Sequence, residues 1–138
     1  MVLKPEAIRA RLLKLEEVIS RLEELQASGT TGDFRDSWAA ERGLQLASEV
    51  VFDIGNHILS AHFGVSAQDY EDILEQLSVR GVIPTEVRQL LKGLGGFRNI
   101  LVHDYLRLDP QAVEEKLRQA PGDFSALALA VRAWLATV

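Results

Sequence analysis

The sequence predicts an all-α fold, an up-and-down bundle of four to six helices, on three observations. Apolar residues recur at helical spacing in every long segment, no segment alternates apolar and polar residues as a half-buried strand does, and the links between segments are short. Short links between long helices favour antiparallel neighbours. The 138 residues, 47% apolar and 25% charged, suit one globular domain over 1–138, long enough to bury a core of its own.

The first helix is predicted from Pro5 to about Ala27. Ile8, Leu12, Leu15, Ile19 and Leu22 fall on one helical face, and Pro5 suits a first turn. Ser28 to Asp33, with two glycines, reads as a loop. The second helix is predicted from about Asp36 to His62. Leu44, Ala47, Val51, Ile54 and Ile58 form one stripe, and Leu46 and Val50 add a second apolar edge, so this helix is central or buried at an oligomer contact. Phe63-Gly64 ends it, with glycine in the C′ position. Ser66-Ala67-Gln68-Asp69 resembles a capping box and opens a short helix carrying Tyr70, Ile73, Leu74 and Leu77, closed by Arg80-Gly81. A fourth helix is predicted from near Pro84 to about His103, following Val87, Leu90, Leu91, Leu94, Phe97 and Leu101. Gly93, Gly95 and Gly96 interrupt it, and mark either a close backbone approach or a break. Asp109-Pro110 is an N-cap and first-turn pair for a fifth helix, which Pro121-Gly122 ends. Asp123 then opens a last helix with Phe124, Leu127, Val131 and Leu135 on one side.

Composition narrows the function. The net charge of −5 argues against a broad nucleic-acid-binding surface, so contact with RNA needs a local positive patch. The absence of cysteine excludes disulfides and thiolate metal sites. Met1 to Glu6 contains no apolar signal core, and no apolar run approaches a membrane span, so a cytoplasmic location is expected.

The chemistry concentrates in Phe97-Arg98-Asn99-Ile100-Leu101-Val102-His103-Asp104-Tyr105. Asn99 and His103 are four apart and share a helical face, and Arg98 and Tyr105 share another if the helix lasts that long. Arginine offers a fixed fork of donors to a phosphate, histidine carries a proton near neutral pH, and asparagine can orient the imidazole. These residues also have a plainer reading. A histidine near a helix C-terminus is favoured by the dipole alone, and a tyrosine at such a place can be half-buried with a local partner for its hydroxyl.

Arg98-Asn99-x-x-x-His103-x-Tyr105 resembles the R-x4-H signature of the HEPN superfamily in its R-N-x-x-x-H-x-Y form, that of the HepT-like toxins of HepT/MntA-type toxin–antitoxin pairs. Glu41-Arg42-Gly43-Leu44-Gln45 and Asp53-Ile54-Gly55-Asn56-His57 are similar to that family's second helix, and Tyr70 with Leu74 and Leu77 to its third. The likeness covers roughly residues 35 to 110; the three glycines before Arg98 depart from it. The resemblance implies an HEPN-like helical homodimer whose two R-x4-H elements face each other across a cleft, acting as a cofactor-free, metal-independent ribonuclease in a type VII-like pair. It implies His103 as general acid or base at the ribose 2′-hydroxyl and the leaving oxygen, Arg98 as the group that stabilises phosphate charge, and Asn99 as an orienting residue. The products carry a 2′,3′-cyclic phosphate. It further implies a nucleotidyltransferase antitoxin that attaches AMP to Tyr105, placing bulk and negative charge in a cleft shaped for RNA phosphate. The rival reading is a non-catalytic helical partner or substrate-binding module of a nucleotidyltransferase. In keeping with an RNA site, residues 86–107 carry four bases against two acids.

Other features point less sharply. Glu49, Asp53 and His57 lie on one stripe of the second helix, but the carboxylate-bundle metal pattern needs Glu-x-x-His pairs on two helices, so no metal is expected. Asp53, Asn56 and His57 are expected to line the same cleft near a dimer seam. Glu41 and Arg42 are expected to form a buried pair, His62 to cap its helix end, and Trp38 and Trp134 to anchor core or interface. Lys92-Gly93-Leu94-Gly95-Gly96 lacks the preceding strand and the Gly-Lys-Ser/Thr ending of a phosphate loop.

Overall fold

The computed structural model describes residues 2–28 and 34–138. Among these the chain forms helices α1 (Pro5–Ser28), α2 (Phe34–Phe63), α3 (Tyr70–Val79), α4 (Thr85–Leu90), α5 (Leu94–His103) and α6 (Pro110–Leu135), with a 3-10 turn at Tyr105–Arg107 and no strand. The all-helical prediction holds. The loop expected at Ser28 to Asp33 lies mostly outside the described residues, and Ser28 itself is helical.

The three long helices pack on one another, α3 and α5 lie against α2, and α4 lies against α6. The core follows the sequence stripes: Ile8, Leu12, Leu15 and Leu22 from α1 meet Leu44, Ala47, Val51, Ile54 and Ile58 from α2, all fully buried. α2 is buried on a second side too, but by Phe52, Gly55 and Leu59 rather than by Leu46 and Val50, which are only partly covered. Gly55 explains that second contact, because a Cβ there would stand 2.4 Å from Ile73 Cγ2 on α3. Only a glycine lets the two helices close this far. At the surface, Arg132 of α6 grips Glu16 of α1 with two hydrogen bonds of 2.6 and 2.9 Å, which hold the Glu16 carboxyl below the usual carboxylate range.

Three local expectations change. α3 is capped three residues later than a Ser66 box would cap it: Asp69 is the N-cap and accepts from Asp72 N–H at 2.7 Å, while Asp72 accepts from Gln68 N–H at 2.9 Å. The predicted fourth helix breaks into α4 and α5 at Gly93, whose φ of 87° is left-handed and costs glycine little. Pro121 does not divide the last segment, and α6 runs through it. The proline removes one backbone donor, yet Val113, Leu117, Ala120, Pro121, Phe124 and Leu127 form one continuous buried face, so packing outweighs the lost hydrogen bond.

The smaller expectations also resolve. Glu41 is half-buried and Arg42 exposed, so they are not a buried pair. Trp134 packs on the core, whereas Trp38 is 67% exposed and meets Phe34 edge-on. His62, in the last turn of α2, lies edge-on to Phe63 and Trp134. No helix among the described residues is long and apolar enough to cross a membrane.

Candidate active site

α5 carries the chemistry, and α3 decides where α5 sits. The Glu71 carboxylate of α3 accepts from the backbone N–H groups of Gly93 at 3.1 Å and Gly95 at 3.0 Å, supplying the cap that Gly93 has no side chain to make. A carboxylate at a helix N-terminus also meets the favourable end of its dipole. Gly95 packs directly on Tyr70, where a Cβ would come within 2.7 Å of Tyr70 Cβ. The glycines therefore serve both purposes open in the sequence: Gly93 breaks the helix, and Gly95 lets α5 close onto α3.

One turn into α5, Arg98 is mostly buried and its guanidinium is surrounded. Its Nη2 donates to Glu49 Oε1 of α2 at 3.3 Å, and its Nη1 donates to Asn99 Oδ1 at 3.3 Å. Nη1 also stands 3.5 Å from His103 Nε2. The guanidinium carbon lies 5.1 Å from the centroid of the Tyr70 ring. Nε is buried and has no hydrogen-bond partner. Arginine only donates, so a hydrogen bond across this gap requires His103 Nε2 to present its lone pair. Asn99 turns its Oδ1 to the guanidinium.

α5 ends at His103, so Arg98 and Tyr105 do not share a helical face. Tyr105 starts the 3-10 turn and is 76% exposed, followed by Leu106 at 85%. Asn99 lines a cleft of about 400 Å³ with Asn56, Tyr70, Ile73 and the 67–69 turn. Of Asp53, Asn56 and His57 on α2, only Asn56 lines this pocket. Asp53 instead accepts from Arg11 of α1 at 2.6 Å, with His57 Nδ1 4.0 Å away on the same side. No group of three or more metal-ligating side chains converges among the described residues. The expected positive patch is thinner than its sequence: Arg88 is paired to Glu71 and Glu75, Arg98 to Glu49, and Arg107 to Asp104.

The sequence puts Tyr70 on an apolar face that resembles the family's third helix, and Glu49 on a metal-like stripe, with no link from either to Arg98. Their convergence on Arg98 spans 28 and 49 residues of chain, and no local spacing announces it. The one local hint was the glycine cluster, which signalled a close approach but not by what.

Comparison with known proteins bears on this arrangement. A profile of the family described as ribonuclease HepT-like matches residues 12–131. The tRNA nuclease HepT of Aphanizomenon flos-aquae (strain 2012/KM1/D3) is 30% identical over 115 residues, covering 80% of this chain and 78% of that protein. Among solved structures, a tri-AMPylated Shewanella oneidensis HEPN toxin in complex with an MNT antitoxin superposes with a TM-score of 0.82 at 26% identity, over 91% of this chain and 96% of that one. A chain of a toxin–antitoxin complex with AMP-PNP gives a TM-score of 0.79 at 25% identity, over 90% and 96%.

Proposed function

This chain belongs to the HepT-like ribonuclease family, and on that premise we propose that it is the toxin of a toxin–antitoxin pair, a metal-independent endoribonuclease acting through Arg98 and His103. The supporting observation is the 3.5 Å approach of Arg98 Nη1 to His103 Nε2, which sets a charge-stabilising donor beside a proton acceptor at one exposed edge. Transfer RNA, the substrate class named for the Aphanizomenon relative, is the substrate to test first.

A phosphodiester seated across that edge meets both groups. His103 Nε2 takes the proton of the ribose 2′-hydroxyl, and the 2′-oxygen attacks phosphorus. Arg98 Nη1 donates to a non-bridging oxygen as its charge grows. The bond from phosphorus to the 5′-oxygen breaks, and that oxygen leaves with a proton from an imidazolium. In a homodimer with the two sites face to face, one His103 supplies the base and the other the acid. The fragments end in a 2′,3′-cyclic phosphate and a 5′-hydroxyl. Cleavage is expected to persist in excess chelator with those termini, as read by end-group labelling. Loss of activity in chelator, or 3′-hydroxyl ends, would refute the scheme.

The second half of the proposal concerns Tyr105, by analogy with the AMPylated Shewanella oneidensis toxin. Its exposed place, just past the end of α5, gives a partner nucleotidyltransferase access to the hydroxyl. The tyrosine oxygen attacks the α-phosphate of ATP, the bond to the β-phosphate breaks, and pyrophosphate leaves. The adduct's negative charge then stands two residues from His103, where it repels RNA phosphate. Intact-mass measurement after co-expression with the cognate nucleotidyltransferase is expected to show an adenylate increment that is lost in Tyr105→Phe. An increment that persists in that variant would place the modification elsewhere.

A further inference from the structure

We infer that Tyr70 and Glu49 form a slot that fixes the attitude of the Arg98 guanidinium, making both of them positioning residues for its phosphate-facing end. The inference rests on the ribonuclease reading above, but its first test does not require catalysis.

A guanidinium is a flat group with two faces and three donor nitrogens. In Arg98 the nitrogens are divided between unlike tasks. Nη2 is tied to Glu49 of α2, and Glu49 is itself steadied by Gln45, whose Nε2 donates to the same Oε1 at 3.2 Å. Nη1 faces Asn99 and His103. Two hydrogen bonds of 3.3 Å, one to a partly exposed carboxylate and one to the Asn99 amide, cannot stop the plane from pivoting about the line between them. The aromatic face 5.1 Å away can, because rotation drives the guanidinium into the ring.

The ring is itself packed against its neighbours. Phe52 stacks on Tyr70 at 4.5 Å between centroids with 28° between planes, and the Tyr70 Cβ is closed in by Gly95. Three helices thus contribute to one group: α2 gives Glu49 and Phe52, α3 gives Tyr70, and α5 gives Arg98. The unpaired Nε points the same way. A buried donor without a partner carries a desolvation cost, and an arginine kept only for its ion pair has no reason to bear it. The arrangement gives up that hydrogen bond and holds Nη1 beside the imidazole.

NMR of the arginine side chains tests the slot directly. In the unaltered chain the Arg98 Nε–H signal is expected to be shielded by the Tyr70 ring and shifted away from the free-arginine position. Tyr70→Phe is expected to keep that shift and Tyr70→Leu to lose it. An Arg98 signal at the free-arginine position in the unaltered chain overturns the inference, whether or not RNA is cleaved.

Chemical rescue tests the same slot by function. Arg98→Ala is expected to lose about 10²–10³ in cleavage rate, and low, non-denaturing guanidinium chloride to restore about tenfold of it, where methylammonium does not. Adding Glu49→Gln or Tyr70→Leu is expected to abolish rescue, and adding Tyr70→Phe to preserve it. Undiminished rescue with either Tyr70→Leu or Glu49→Gln sinks the slot alone. Full activity of Arg98→Ala sinks the ribonuclease reading instead, and the NMR result then decides the slot. Should Tyr70→Leu not fold, Glu49→Gln decides the rescue test and the Arg98 Nε–H position in the unaltered chain decides the NMR test.

Discussion

Replacing His103 by alanine is expected to lower the rate of RNA cleavage by about 10²–10⁴-fold, the usual share of a positioned general acid or base. The fold should scarcely notice. His103 is exposed in the last turn of α5, so its removal forfeits little packing. The loss should therefore appear in single-turnover rates while the urea midpoint moves little. Arg98→Ala differs, because it strips Glu49 of its cation and Tyr70 of the guanidinium over its ring, and so should weaken stability as well as activity. The comparison separates two explanations of this cluster. A histidine kept only for its position at a helix end predicts unchanged cleavage in His103→Ala. That result would leave a non-catalytic partner of a nucleotidyltransferase as the better reading.

The parts of this molecule that were legible in the sequence are those whose cause is local. The spacing of Ile8, Leu12, Leu15, Ile19 and Leu22 defines the buried face of α1 with no reference to its neighbours. The Asp109-Pro110 pair sets the start of α6, with Asp109 accepting from Gln111 N–H at 3.0 Å. Pro121 shows the limit. Its local preference is to stop a helix, and a continuous buried face on both sides of it overrides that preference. The site divides along the same line. Arg98, Asn99 and His103 could be singled out because they lie within one helix. Glu49, Tyr70 and Glu71 could not, because each reaches the site only through tertiary packing of α2 or α3 against α5. The charge balance of residues 86–107 misled for a related reason. Counting residues cannot show that Glu71 and Glu75, from outside the segment, are paired with Arg88.

Two adjacent glycines in α5 should respond to alanine with opposite signs. At Gly96 a new Cβ meets nothing within 4 Å, so Gly96→Ala gains helix propensity and should stabilise the chain by up to about 1 kcal/mol. At Gly95 the same methyl group would come within 2.7 Å of Tyr70 Cβ and 3.0 Å of Glu71 Oε2. The atom at 2.7 Å is close to the α3 backbone, so a rotamer change cannot clear it and the two helices must part. Overpacking of this kind costs about 1–3 kcal/mol. The functional cost should be larger than the structural one. Moving α5 off α3 lengthens the Glu71 cap and draws Arg98, one turn on, away from the Tyr70 ring and Glu49. A misplacement of about 1 Å in a catalytic group can cost about 10²-fold in rate. Gly95→Ala is thus expected to have a lower denaturation midpoint and, at temperatures where it remains folded, markedly slower cleavage. Gly96→Ala should be at least as stable as the parent and fully active. If the two variants instead behave alike in both assays, the seating of α5 does not depend on the Gly95–Tyr70 contact, and Arg98 is held in place by something other than α3.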